Sequence, residues 1–248
     1  MPADPTAPRP AGRRDQKSTA SGSVWSRADG QKPERLTLET ILSTAIGLAD
    51  AEGLDAVSVR RIATVLNTRP MNMYTHVARM EDLVELMIDK IMAEIILETL
   101  PAEWREALLA IARRTREVAL RHPWLMVAFG KYSALGPNAA RHAEQSLTAI
   151  AGLHLDSHRA ISLLRAVDVY TIGYGTVALA ELQVRQRDKI GESEWRASVE
   201  GYVARLTSGG DFPRLAATGG SEVLRRGDES SAFEEGLSWL LAGFASTL

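Results

Sequence analysis

A chain of 248 residues with 45% hydrophobic and 24% charged content carries the material for a sizeable core and one or two domains. It has no cysteine, which excludes disulfides, thiolate metal sites and cysteine nucleophiles. Its net charge of −2 points to no class of partner by itself, and no apolar run reaches the roughly 20 residues that span a bilayer.

Residues 1–33 are rich in Pro, Ser, Gly, Arg and Ala, with Val24 and Trp25 as the only apolar pair. This stretch reads as a disordered, mildly basic tail, either without a role or acting as an arm that adds phosphate or minor-groove contacts. The opening MPADPTAPRPAGRRDQ lacks the apolar core of a signal peptide, so a cytoplasmic location is expected.

The first helix starts at Thr37, a plausible N-cap, and runs through Leu38, Ile41, Leu42, Ala45, Leu48 and Ala49 until Gly53 stops it. Val57 to Val77, VSVRRIATVLNTRPMNMYTHV, reads as two short helices broken at Asn67-Thr68. Ser58 caps the first, whose stripe is Val59, Ile62, Ala63 and Leu66. Pro70 restarts the chain, because its missing N–H would be unpaired in a first helical turn anyway. Met73 and Val77 face inward, which leaves Arg69, Asn72, Tyr74, Thr75 and His76 outward. Two such helices joined by a tight turn form a helix-turn-helix, whose second helix enters the DNA major groove. Charge supports this placement. Residues 56–80 hold Arg60, Arg61, Arg69 and Arg79 and no acid, whereas residues 34–55 carry −4 and 81–248 carry −5. An acid-free window is what a surface facing phosphates requires.

Glu81 and Asp82 then open a long apolar fourth helix, with a stripe of Leu83, Leu86, Met87, Ile91, Met92 and Ile95, which Pro101 is expected to end. Further helical segments follow at Trp104 to Leu120, His122 to Phe129 and Pro137 to Gly152. A long one, capped by Asp156, reaches about Arg187. Glu192 to Leu206 and Ala232 to Ala245 are the last two, and the Gly-rich stretch 207–230 between them reads mostly as loop. No alternation of period two occurs. The fold class expected is all-α, with an N-terminal three-helix helix-turn-helix domain over 34–80 and a C-terminal helical ligand-binding and dimerisation domain over 81–248.

In the order of these elements the chain resembles the TetR family of transcriptional repressors. The runs that carry the resemblance to its DNA-binding domain are Ala45 to Asp55, SVRRIA (Ser58 to Ala63) and MYTHV (Met73 to Val77). RHPW (Arg121 to Trp124), LGPNA (Leu135 to Ala139), VDVYTIGYG (Val167 to Gly175), DFPRL (Asp211 to Leu215) and FEEGLSWLLAGF (Phe233 to Phe244) are similar to its tetracycline-repressor branch. The resemblance implies a non-enzymatic homodimer that binds a palindromic operator on double-stranded DNA and releases it when a small effector enters the C-terminal domain. Dimerisation also has a physical reason, since one recognition helix reads only a few base pairs.

Arg60 aligns with a base- or phosphate-contacting arginine of the family. In the recognition helix, Arg69 suits guanine, Asn72 suits adenine and Met71 suits a thymine methyl, with Thr75 a further base-edge candidate. Tyr74 and His76 are assigned to phosphates; a packed ring and a helix-end dipole contact are their plainer roles. The family commonly has a small capping residue where Arg69 stands and a lysine where Met80 stands. Arg69 therefore adds charge but weakens the cap, and Arg79 is the substitute for the lysine.

The tetracycline-binding members hold a magnesium–drug chelate with histidines, at positions that align here with Ile96 and Phe129. A metal-free, hydrophobic or aromatic ligand is therefore expected, with no cofactor. Its candidate contacts are Trp104, Trp124, Met126, Phe129, Tyr132, Asp168, Tyr170 and Tyr174, each of which has simple core packing as the alternative. Arg165, three residues before Asp168, offers it a local ion pair. His154 and His158 resemble a metal pair in spacing but straddle a helix start, where they would not share a face. Two other functions stay open: a DNA-binding regulator whose pocket is filled by its own side chains, and a helical binding protein or enzyme on the same fold. No glycine-rich phosphate loop or Ser/His/Asp arrangement supports the latter.

Overall fold

Each helix start predicted from a capping residue is built in the same way. In the computed structural model, which describes residues 36–221 and 230–248, the Thr37 hydroxyl accepts from Thr40 N at 3.1 Å and opens α1, Leu38–Glu52. The Ser58 hydroxyl accepts from Arg61 N at 3.2 Å and opens α2, Val59–Val65. Asp156 caps Arg159 N at 2.9 Å. Such caps satisfy amide groups that a helix end leaves unpaired and contribute about 1 kcal/mol each.

The turn after α2 is closed by Asn67, whose φ of 48° lies in the left-handed region. Thr68 N reaches back to Ala63 O at 2.9 Å and Asn67 N to Thr64 O at 3.2 Å, a Schellman-type end that uses asparagine in place of glycine. Pro70 then heads α3, Pro70–Met73. The regular helix is shorter than the outward-facing set suggests: Tyr74, Thr75 and His76 form a turn, closed by bonds from His76 N and Val77 N to Met73 O at 3.0 Å. Arg69 occupies the N-cap without a side-chain cap bond.

Among the described residues every regular element is helical. After α4 (Met80–Met92) come α5 (Trp104–Arg121), α6 (Trp124–Phe129), α7 (Pro137–Ile150), α8 (Ser157–Asp188), α9 (Glu192–Thr207), α10 (Pro213–Ala217) and α11 (Ser230–Ala245). No helix among them is long and apolar enough to cross a membrane. Two boundaries differ from expectation. α4 stops at Met92, not at Pro101: residues Ala93–Ile95 tighten into a 3₁₀ turn and Ile96 is extended. The buried Gln145 of α7 holds that end, accepting from Leu97 N at 3.1 Å and donating to Ile95 O at 3.3 Å. The stretch expected as loop contains α10, with Pro213 at its first position; residues 222–229 of it, like the tail 1–33, lie outside the described residues.

Two sets of apolar residues are buried. Ile41, Ala45, Ile62, Ala63, Met73, Leu83 and Met87 bury the inner faces of α1 to α4. The larger core joins Leu108 and Ala112 of α5, Ile150 of α7, Leu163 and Val167 of α8, and Phe233, Leu237 and Leu241 of α11. Polar ties fix these helices to one another, within the first set and between the two. Lys90 of α4 pairs with Glu39 of α1, and Asp89 of α4 caps α7 through Asn138 N at 2.9 Å and Ala139 N at 3.2 Å.

Candidate nucleic-acid interface and its link to the helical body

α2, the Asn67 turn and α3 present one exposed edge. Arg60, Arg69, Met71, Asn72, Tyr74, Thr75, His76 and Arg79 are all exposed, and Met71, an apolar side chain, is 74% exposed. A single exposed apolar side chain is ordinary on a folded surface, but here it stands among polar and cationic neighbours on the same edge, open to contact by whatever approaches it. Some of these side chains are already oriented. Asn72 Nδ2 donates to Thr68 Oγ1 at 3.0 Å, which leaves its carbonyl oxygen and one amide hydrogen outward. Thr75 Oγ1 donates to Asn72 O at 2.7 Å. Arg61, beside Arg60, is turned back to Glu52 at 2.8 Å, so it stiffens the α1–α2 corner.

Arg79 is a special case. Its guanidinium grips Asp82 through Nη2 at 2.6 Å and Nε at 3.1 Å. That hydrogen bond holds the Asp82 carboxyl below its usual value and raises Arg79. The cation assigned as the substitute for a lysine is thus paired with Asp82 of the following helix, and Arg79 is 71% exposed, so a phosphate competes with that carboxylate for it.

The proposed ligand residues do not gather at one place. Tyr170 and Tyr174 of α8 stack about Phe233 of α11, with ring centroids 5.6 and 5.2 Å from it. The Tyr170 hydroxyl donates to Phe233 O at 3.0 Å, and burial raises its pKa. Trp104 packs edge-on to Phe244 at 6.2 Å and lines a separate surface hollow between α5 and α7. Met126 is buried, and Phe129 and Tyr132 are half-buried. Asp168 is exposed, and the basic side chain that faces it is the imidazole of His142, with Nε2 at 3.8 Å, in place of the Arg165 expected from spacing. Of the two histidines at metal-like spacing, His154 sits in a left-handed turn and His158 in the first turn of α8.

Trp124 is elsewhere again, and it exposes a link that sequence reading missed. Its indole Nε1 donates to Asp50 Oδ1 at 2.7 Å, and the same oxygen lies 2.7 Å from His122 Nδ1. His122 Nε2 is 3.5 Å from Glu94, which in turn pairs with Arg121 at 2.8 Å. The end of α1 is therefore bolted to the start of α6 and to the 3₁₀ turn after α4. Asp50 stands one turn before the helix-ending Gly53, in a run DAEGLD whose spacing points to neither Trp124 nor His122. Beside this link lies a cleft of about 490 Å³ between the turn after α1, α6 and the C-terminal half of α8.

Residues 98–248 match the family profile described as tetracyclin repressor-like, C-terminal domain. The chain is 32% identical over 196 residues to the HTH-type transcriptional repressor DrrR1 of Streptomyces coeruleorubidus, covering 76% of this chain and 72% of that one. It is 31% identical over 234 residues to an HTH-type transcriptional regulator of Saccharopolyspora erythraea, covering 92% and 93%. Among solved structures it is similar to ActR of Streptomyces coelicolor in complex with actinorhodin, with a TM-score of 0.73, 27% identity, and coverage of 86% of this chain and 97% of that one.

Proposed function

This chain belongs to the TetR family of transcriptional regulators, and from that membership we propose that it is a homodimeric repressor, released from a palindromic operator by a small hydrophobic or aromatic effector. The observation that carries the DNA-binding part is the exposed edge of α2 and α3, with Arg60, Arg69 and an uncovered Met71 in a window without acids. Arg69, Met71, Asn72 and Thr75 take the base edges, and Arg60, Tyr74 and His76 fix register, Arg60 on phosphate or base; Arg79 joins them once Asp82 lets go. Dimerisation is supported by apolar side chains that α8 and α11 leave uncovered: Ile161, Val169 and Val177, with Trp239 68% exposed. ActR, solved with a small molecule, supports the effector part. No catalytic role is assigned to the chain in this reading.

A switch requires that the effector favour one of two arrangements of the recognition helices. The ties on which such a change would act are the bonds from Asp50 to Trp124 and His122 and from Asp89 to Asn138. Helix α6 then transmits movement of the core to α1, and α7 to α4.

Titration of the full-length protein onto labelled duplexes from the DNA flanking its own gene tests the proposal. Specific binding is expected, weakened by Arg69→Ala by about 1–3 kcal/mol at the cognate site only. Asp82→Asn, by releasing Arg79, is expected to tighten binding to all duplexes and to steepen the salt dependence by about one unit of slope. If no duplex from that region binds above random DNA at low salt, the repressor reading fails.

A further inference from the structure

Asn72 leaves α3 with its polar groups already engaged. Its Nδ2 donates to the Thr68 hydroxyl at 3.0 Å, and its backbone carbonyl accepts from the Thr75 hydroxyl at 2.7 Å. Thr68 is itself anchored, because its N–H closes the turn after α2 on Ala63 O at 2.9 Å. The half-buried Thr68 therefore stands on the fixed end of α2, and the exposed Asn72 leans on it from the next helix. An exposed asparagine without such a partner samples several rotamers and both orientations of its amide, and loses that freedom on binding.

We infer that Thr68 is a positioning residue for base recognition: it turns the Asn72 amide so that Oδ1 and one Nδ2 hydrogen point outward, the pattern that complements adenine. This rests on the DNA-binding reading of α2 and α3 given above. Adenine shows an N6 donor and an N7 acceptor on its major-groove edge, so one acceptor and one donor from Asn72 meet both. Guanine shows two acceptors, O6 and N7, and needs two donors. With one Nδ2 hydrogen held by Thr68, Asn72 has a single one to give, and its Oδ1 meets O6 with no proton between them. The same pair bonded the other way, with Thr68 donating to Oδ1, would free both amide hydrogens for guanine. That arrangement needs the Thr68 hydroxyl proton, and a DNA backbone, whose phosphates only accept, draws that proton into a bond of its own. Thr75 is held in a matching sense. A backbone carbonyl cannot donate, so the Thr75 proton lies on Asn72 O and only oxygen lone pairs remain outward. Thr75 then takes an amino group, on adenine N6 or cytosine N4, in preference to a carbonyl.

Selection of duplexes from a randomised library by the full-length protein, followed by competition among single-base variants of the selected site, tests the assignment. The step read by Asn72 is the one whose base preference Asn72→Ala abolishes. Wild type is expected to prefer adenine there, with guanine about tenfold weaker or more. Thr68→Val keeps the branched shape and removes the hydroxyl. It is expected to cut that preference about fivefold and leave the other steps unchanged, whereas Thr68→Ser keeps it within about twofold of wild type. In an Asn72→Ala background, Thr68→Val should change no preference further. A loss spread evenly over all bases in Thr68→Val would make Thr68 a structural residue only and overturn the inference. So would an unchanged adenine preference in that variant, or a guanine preference in wild type. In each of these cases specific binding persists and the repressor reading stands; selection of no sequence above random DNA would remove both.

Discussion

Asp50 at the end of α1 receives the indole N–H of Trp124 on α6 at 2.7 Å, so one carboxylate oxygen joins the helix-turn-helix unit to the body. His122 shares that oxygen, also at 2.7 Å, and its side chain is only 11% exposed. Donors this well buried cannot be handed back to water when the acceptor is removed. Asp50→Ala is therefore expected to lower stability in urea by about 1–3 kcal/mol. The pairing itself is checked by a cycle with Trp124→Phe, which should show a coupling of at least about 0.5 kcal/mol. Additive effects would mean that the bond contributes nothing beyond packing.

Asn67 tests whether the turn between α2 and α3 is limited by its backbone. With φ at 48°, asparagine is tolerated and glycine is free, but a β-branched residue is strained. Asn67→Gly is expected to stay within about 0.5 kcal/mol of wild type, and Asn67→Val to lose about 1–2 kcal/mol. Thermal melts of both variants decide it: equal losses would place the cost in the side chain, since Gly and Val then differ in nothing that matters.

The same turn shows what the sequence can and cannot reveal. Thr37, Ser58, Asn67, Pro70 and Asp156 act within three to five residues of themselves, and their roles are legible from spacing alone. Gln145 is different. It acts on Ile95 and Leu97 across about 50 residues, and so α4 ends at Met92, short of the stop that Pro101 suggests. Asp50 and His122 are 72 residues apart, and nothing in either neighbourhood points to the other. Pro213, by contrast, marked α10 in plain view; the glycines around it outweighed a helix-start signal. The aromatic residues of α8 had the right type for a ligand site, but spacing cannot distinguish a pocket wall from the core that Phe233 completes.

Gly136 and Asp89 form a second tie open to test. A Cβ on Gly136 would collide with the Asp89 carboxylate, which is fixed by Asn138 N and Ala139 N at the head of α7. Gly136→Ala should push that carboxylate off the helix end and cost about 1–3 kcal/mol, cap loss and steric strain together. Asp89→Ala alone should cost about 1 kcal/mol. The double variant should be more stable than the sum of the two predicts, because the collision vanishes with the carboxylate. Strict additivity in chemical denaturation would refute the clash.

Arg113 of α5 holds Glu234 of α11 with bonds of 2.6 and 2.8 Å. The Arg113 hydrogen bond keeps the Glu234 carboxyl below its usual value of 4.5. A folded pKa below the unfolded one gives stability that is present above the unfolded value and lost as pH falls through the folded one. Glu234→Gln should therefore leave a shallower loss of stability below pH about 4.5 than wild type shows, with the two curves parallel at neutral pH. Urea midpoints measured from pH 7 down to the acid limb give the comparison. Identical acid limbs would show that the pair, although short, is fully screened by solvent.

Val169 is 65% exposed on α8 and Trp239 is 68% exposed on α11, two helices that pack on each other. Apolar groups of this size in contact with water are costly, and a second copy of the chain covers them in the proposed dimer. An arginine at position 169 would bring two like charges together across a two-fold axis in a dry contact, a cost that surface relaxation cannot remove. Val169→Arg should then sediment as a species of 27.0 kDa where wild type sediments at twice that mass. The variant should keep its helical circular dichroism, because Val169 faces away from the core of its own chain. It should bind operator DNA more weakly by losing the second recognition helix, while single-half-site duplexes are bound as before. A Val169→Arg protein that remains a dimer would move the interface off α8, and Trp239→Glu would then separate an α11 contact from a dimer held by neither helix.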